Sequence, residues 1–187
     1  MVNVLMTPRL QLRPLVEADA PAMFLLGADP AVMRYIGSAP MQTEAEALAY
    51  LQSHPLRDYQ RTGFGRLAIT LAQSDEIIGF CGLKWVDEIS GFDLGYRLLP
   101  AFWRQGLAVE AGLAVLADAR RRGLCCPAGQ QQNQIYGLVH PDNQGSIRVL
   151  EKLGFAYQQD IFFSLLPDIA VRQYGLALDC ASISAGF

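Results

Sequence analysis

An α/β (α+β) fold on a largely antiparallel sheet is predicted by three features of the chain. Strand-like apolar runs recur at residues 8–15, 66–72, 76–86, 92–99, 135–139, 155–163 and 169–178. Helix start and stop signals bracket 17–28, 43 to about 53, 107–121 and 143–152. The order is βααβββαβαββ, in which short turns join most strands antiparallel and one helix crossover makes a parallel pair. With 187 residues, 51% of them apolar, the chain can bury roughly two-thirds of its unfolded surface in one domain.

The first strand, PRLQLRPL, alternates Leu10 and Leu12 with Arg9, Gln11 and Arg13 and is closed by Pro14. Glu17 and Asp19 open the first helix, where acids suit the positive end of the helix dipole. Thr43 and Glu46 form a capping-box pair that opens the second, and Pro55 ends, kinks or restarts it. RLAITLA and EIIGFCGLKWV flank Gln73-Ser74-Asp75, a hairpin turn. The next strand, FDLGYRLL, contains Gly95, which points to a bulge or a close backbone approach. Leu107–Arg121 is a helix with basic residues at its C-terminal end, and IYGLV is a short buried strand. The helix from Asn143 to Lys152 carries Ile147, Leu150 and Leu153 and is closed by Gly154 in a left-handed cap. The loop 125–134 reads as polar surface, and 179–187 as a frayed tail.

Composition excludes several classes. Fifteen Lys+Arg against eighteen Asp+Glu give a net charge of −3, without the basic surplus of a nucleic-acid binder. No run approaches about 18 apolar residues, so no membrane span is expected, and no leader pattern precedes the first strand. A cytoplasmic protein, monomer or homodimer, is the expectation. The four cysteines form no C-x-x-C and read as free thiols, and neither His54 nor His140 has metal-ligand spacing. No metal is expected.

Two segments bear on chemistry. In LLPAFWRQGLAVEA a strand breaks at Pro100 and a helix opens after Gly106, leaving the amides of Arg104 through Ala108 as unsatisfied donors. Such an end attracts a phosphate or pyrophosphate, with Arg104 at the rim, although an ordinary strand-to-helix turn also needs a glycine. It is neither a Walker A loop nor G-x-G-x-x-G. In HPDNQGSIRVLEKLGF, Asn143 or Asp142 can cap the helix, and Ser146 either caps or turns its hydroxyl into a cleft.

Together these segments resemble the GNAT superfamily of acyl-CoA N-acyltransferases, specifically its RimJ/RimL-type N-acetyltransferases. TPRLQLRPL with EADA looks like their first strand and helix, and IIGFCGL like their third strand. FDLGYRLLPAFWRQGLAVEA looks like the coenzyme motif Q/R-x-x-G-x-G/A with Trp103 in first place, and HPDNQGSIRVLEKLGF like their second motif. The resemblance spans about residues 7–178. It implies a mixed, mostly antiparallel sheet of about seven strands flanked by four helices and splayed between the fourth and fifth strands. It also implies acetyl-CoA as co-substrate. The pantetheine arm would lie along Tyr96, Arg97 and Leu98, and the pyrophosphate on the amides of Arg104, Gln105, Gly106, Leu107, Ala108 and Val109. Asn143 would contact the arm, and Ser146 would sit near the sulfur.

The family pattern is not followed everywhere. A tyrosine acid of other branches falls at Leu150, and a glutamate base of some RimL-like enzymes at Leu165. Asp93 occupies the acidic strand position and is the candidate base or ammonium-binding group; its alternative role is pairing with an arginine. The implied activity is acetyl transfer to an amine acceptor, a protein N-terminus or a small molecule. A non-catalytic acyl-CoA sensor on the same fold is the alternative. Acceptor specificity would reside in about 20–62 and 163–170, which hold Asp29, Arg34, Tyr35 and Asp58.

Overall fold

The computed structural model describes residues 3–124 and 134–178. Its sheet has eight strands: β1 (Leu5–Met6), β2 (Leu10–Pro14), β3 (Arg66–Leu71), β4 (Ile77–Val86), β5 (Gly91–Leu98), β6 (Gln134–Val139), β7 (Ala156–Phe163) and β8 (Leu166–Ala177). Six α-helices accompany it among the described residues: α1 (Ala20–Ala28), α2 (Pro30–Met33), α3 (Glu44–Ser53), α4 (Pro55–Thr62), α5 (Leu107–Arg121) and α6 (Gln144–Lys152). The spatial order is β1-β2-β3-β4-β5-β6-β8-β7, antiparallel throughout except for the parallel pair β5–β6, whose crossover is α5.

The expected class stands, with one strand and two helices added. β1 is two residues long and α2 is one turn, both too short for periodicity to register. Pro55 restarts the chain as α4, where a proline at the first helical position lacks only an N–H that would be orphaned anyway. The expected helix 17–28 begins instead as a 3₁₀ turn at Glu17–Asp19. Asp19 is not an exposed dipole acid: it is buried, takes a two-pronged contact from Arg13 at 2.8 Å and accepts from the Val16 amide. The cysteine pair at 125–126, the polar loop as far as residue 133, Cys180 and the tail at 179–187 lie outside the described residues, and Gln134, expected to end that loop, is the first residue of β6.

Both faces of the sheet are covered. Leu10, Leu12, Ile69, Leu83 and Leu94 pack with Leu116 of α5 and Leu150 of α6 in one core. On the other face Leu15, Ala68 and Phe80 meet Leu26 of α1 and Leu51 of α3. This double burial explains why β3 and most of β4 are continuous apolar runs rather than alternating ones. No described helix is long and apolar enough to cross a membrane.

Candidate active site

The sheet opens along β5. This strand pairs with β4 without a break from Gly91 to Leu98, yet with β6 only at Phe92–Ile135 and Asp93–Tyr136. From Leu94 onward its second edge has no strand beside it among the described residues. Gly95 is therefore not a bulge. A Cβ at that position would collide with the guanidinium of Arg66, so glycine is what lets this side chain cross the strand.

Arg66 fixes the opening. Its Nη2 donates to Asp93 Oδ2 at 2.8 Å, and its Nη1 to the carbonyl oxygens of Asp93 at 2.9 Å and of Gly82. The other Asp93 oxygen accepts from the Leu138 amide of β6 at 3.1 Å. Asp93 thus ties β3, β5 and β6 together at the point of divergence, with only 13% of its side chain exposed.

A cleft of about 740 Å³ runs through this split. Tyr96, Arg97 and Leu98 line it from β5, Arg104 and Gly106 through Val109 from the turn into α5, and Asn143 and Ser146 from α6. Of the residues named for coenzyme contact or chemistry, only Gln105 and Asp93 do not line it; of the four named in the acceptor stretches, Arg34 and Tyr35 line it and Asp29 and Asp58 do not. The Gln105 side chain turns back to the Ala101 carbonyl at 2.9 Å.

The α5 turn is held from outside. Gly106 has φ +78°, a left-handed conformation that glycine adopts without cost, and no side chain caps the helix. The first-turn amides of Leu107, Ala108 and Val109 thus have no helical acceptor. Arg9 donates to the Gln105 carbonyl at 2.9 Å, while Arg9 and Thr7 grip the Glu110 carboxylate with contacts of 2.6 Å. Burial raises the Glu110 carboxyl, but these bonds outweigh it and leave it below its ordinary range.

On α6, Asn143 is the cap: its Oδ1 accepts from the Ser146 amide at 3.1 Å. Ser146 Oγ lies 2.8 Å from the Tyr96 hydroxyl, which also donates to the Ser146 carbonyl at 3.0 Å. Burial pushes the Tyr96 phenol well above its usual value, so it stays protonated. Leu150, at the position of the other branches' tyrosine, is buried beneath Gly137 and reaches no cleft. Leu165 lies in the exposed β7–β8 turn, which packs on Gly37 just after α2.

The cleft's charge opposes that of the chain. Arg34, Arg97, Arg104, Arg148 and Lys152 line it, and no Asp or Glu does among the described residues. None of these five cations is ion-paired among the described residues. Arg148 and Lys152 went unnoticed in the sequence, although their spacing of four on α6 puts them on one helix face. No group of three metal-ligating side chains occurs among the described residues.

Residues 9–156 match the family model of the acetyltransferase (GNAT) domain. The uncharacterised N-acetyltransferase p20 of Bacillus licheniformis is 31% identical over 156 residues, 82% of this chain and 83% of that protein. The crystal structure of an acetyltransferase from Agrobacterium tumefaciens superposes with a TM-score of 0.75 at 28% identity, covering 93% of this chain and 95% of that one. A RimL ribosomal L7/L12 α-N-protein acetyltransferase in complex with coenzyme A shares the fold, with a TM-score of 0.78, 20% identity, and 95% and 99% coverage. A split sheet, an uncapped helix start on a cationic cleft and a family match across most of the chain converge on one conclusion: this chain belongs to the GNAT family and is an acetyltransferase.

Proposed function

We propose that the chain transfers an acetyl group from acetyl-CoA to a primary amine, a small amine or a protein N-terminus, by direct attack in a ternary complex. The uncapped first turn of α5 carries this reading, because it opens on a cleft that, among the described residues, is lined by five cations without an ion-pair partner and by no acid. Aligned amides and a helix dipole suit a pyrophosphate, and Arg104, Arg148 and Lys152 add charge beside it. The unpaired edge of β5 from Leu94 to Leu98 suits an extended, amide-bearing arm laid down as an added strand. The coenzyme found with the RimL enzyme supports the same assignment.

When bound, acetyl-CoA supplies the activated thioester, and the chain's own work is positioning. Asn143 shapes the start of α6 so that Ser146 faces the cleft, and Tyr96 orients the Ser146 hydroxyl to hydrogen-bond the departing thiolate. Cys81 is no nucleophile here, since burial pushes its thiol up to about 12. With its carboxylate held by Arg66 and Leu138, Asp93 is a positioning residue, and the amine loses its proton to solvent.

Titration calorimetry with acetyl-CoA is the test. Micromolar binding is expected, followed by thiol release with amines. Ala108→Glu keeps the helix, because an acid in the first turn suits the dipole, but weakens acetyl-CoA binding by about 100-fold through repulsion of the phosphates. Absence of binding at millimolar acetyl-CoA overturns the reading.

A further inference from the structure

We infer that the acceptor amine carries a carboxylate, and that Arg97 is the residue that binds it; this rests on the transferase reading above. Arg97 lies beside Tyr96 on β5, and successive strand residues point to opposite faces. Tyr96 faces α6 and Ser146. Arg97 is paired across the ladder with Phe80, over whose ring its guanidinium sits 5.4 Å from the centroid, in the core formed with α1 and α3. The coenzyme cradle at α5 and α6 is therefore on the Tyr96 side, and Arg97 reaches the cleft from the other.

There it lacks the partner that a partly buried arginine normally has. A guanidinium carries five N–H donors. Only one finds an acceptor among the described residues, the weak thioether sulfur of Met33 at 3.4 Å. Burial lowers its pKa, Tyr50 counteracts this and Arg66 adds to it, and no carboxylate among the described residues pairs with it. A protein that keeps a desolvated cation without an internal anion leaves room for one from outside. The planar fork of arginine matches a carboxylate with two parallel hydrogen bonds.

Such a contact also solves a problem of the site. Among the described residues no Asp or Glu lines the cleft, so no carboxylate there attracts an ammonium group. An acceptor anchored by its carboxylate on Arg97, one residue along β5 from the Tyr96–Ser146 pair, brings its nitrogen towards the thioester without an acid to hold it. The carboxylate is either the α-carboxylate of a free amino acid or the side chain of an acidic residue near a peptide N-terminus.

Thiol release from acetyl-CoA distinguishes these sources. Glycine, serine and glutamate are compared with their C-terminal amides, and N-terminal serine peptides carrying Asp or Glu at the second position with those carrying Asn or Gln. In one of the two series the anionic member is expected to have kcat/KM about 10- to 100-fold higher, through KM, the range of hydrogen bonds to a charged group. Arg97→Met collapses that ratio towards one, and Arg97→Lys restores part of it. A ratio near one in both series of the wild-type enzyme, or one that persists in Arg97→Met, overturns the inference. So does acetyl-CoA binding with no release from any anionic amine, an outcome that leaves the coenzyme site standing. Absence of acetyl-CoA binding instead overturns the transferase reading itself, and this inference with it. Thermal unfolding supplies a separate check: Arg97→Met keeps or raises Tm, as expected where a residue is retained for a ligand rather than for the fold. A clear fall in Tm would make Arg97 a structural residue and overturn the assignment.

Discussion

Ser146 and Tyr96 are fifty positions apart, and their hydroxyls meet because α6 packs its first turn against β5. The phenol has one proton to give. When it goes to the Ser146 carbonyl, the Ser146 hydroxyl donates to the phenol oxygen; when it goes to Ser146 Oγ, the serine proton is free for a thiolate. Either way the serine rotor is fixed. Tyr96→Phe is accordingly expected to lower kcat about tenfold and to change the acetyl-CoA Kd by less. In a Ser146→Ala background the same substitution adds little, because the two residues act as a unit. Additive losses in single-turnover rates would mean that Tyr96 works independently of Ser146. Each residue was visible in its motif, but their contact was not, since nothing local in either segment encodes a pairing made by tertiary packing. The same holds for Asp93, whose alternative role as an arginine's partner was legible while the identity of Arg66, twenty-seven positions upstream, was not.

At the scale of elements, α5 shows where local signals suffice. Its bounds, Leu107–Arg121, agree with those expected from Gly106 before it and the basic residues at its end. By contrast, α2 lines the cleft through Ala31 and Val32 but is a single turn capped by Asp29, whose carboxylate accepts from the Ala31 amide at 2.8 Å. One turn offers no periodicity to read. The N-terminal strand motif was likewise legible as a strand while its task was hidden: Thr7 and Arg9 clamp Glu110, and Arg9 also holds the Gln105 carbonyl of the cradle. Glu110→Gln should therefore cost about 1 kcal/mol at neutral pH, a modest figure because half of the Arg9 side chain is exposed. The folded-state pKa of Glu110 is depressed, so this stabilisation is present above its unfolded value near 4.5 and fades as pH falls through the lower folded one. Unfolding curves of the two proteins should converge as pH falls below the depressed folded-state value of Glu110, and the acetyl-CoA Kd of the variant should rise at pH 7. Parallel curves across the whole range would assign the clamp no electrostatic part.

Across the whole molecule, the split sheet is what turns two cores into one enzyme. Helices α5 and α6 pack on one face and α1 and α3 on the other, and a continuous sheet would keep the two sides apart. The opening after Asp93 joins them, which is what the proposed reaction needs if coenzyme and acceptor are to meet from opposite faces. Such a gap requires β5 and β6 to be bonded at one end and released at the other, and the Arg66–Asp93 pair with its link to Leu138 marks the boundary. Both side chains are close to nine-tenths buried, so removing one charge strands the other. Asp93→Asn is expected to cost about 3 kcal/mol of stability, near the lower limit for breaking a buried pair. Its kinetic signature separates a positioning role from a base. If Asp93 took the amine's proton, the variant's loss would fall on kcat and shrink for acceptors of lower amine pKa, which need a base least. Held by Arg66 and Leu138 and away from the cleft lining, it should instead act equally on all acceptors, with the acidic limb of kcat/KM, set by the amine's own protonation, left in place. The rate should then fall by a similar factor at every pH, as the strands that frame the cleft lose their alignment.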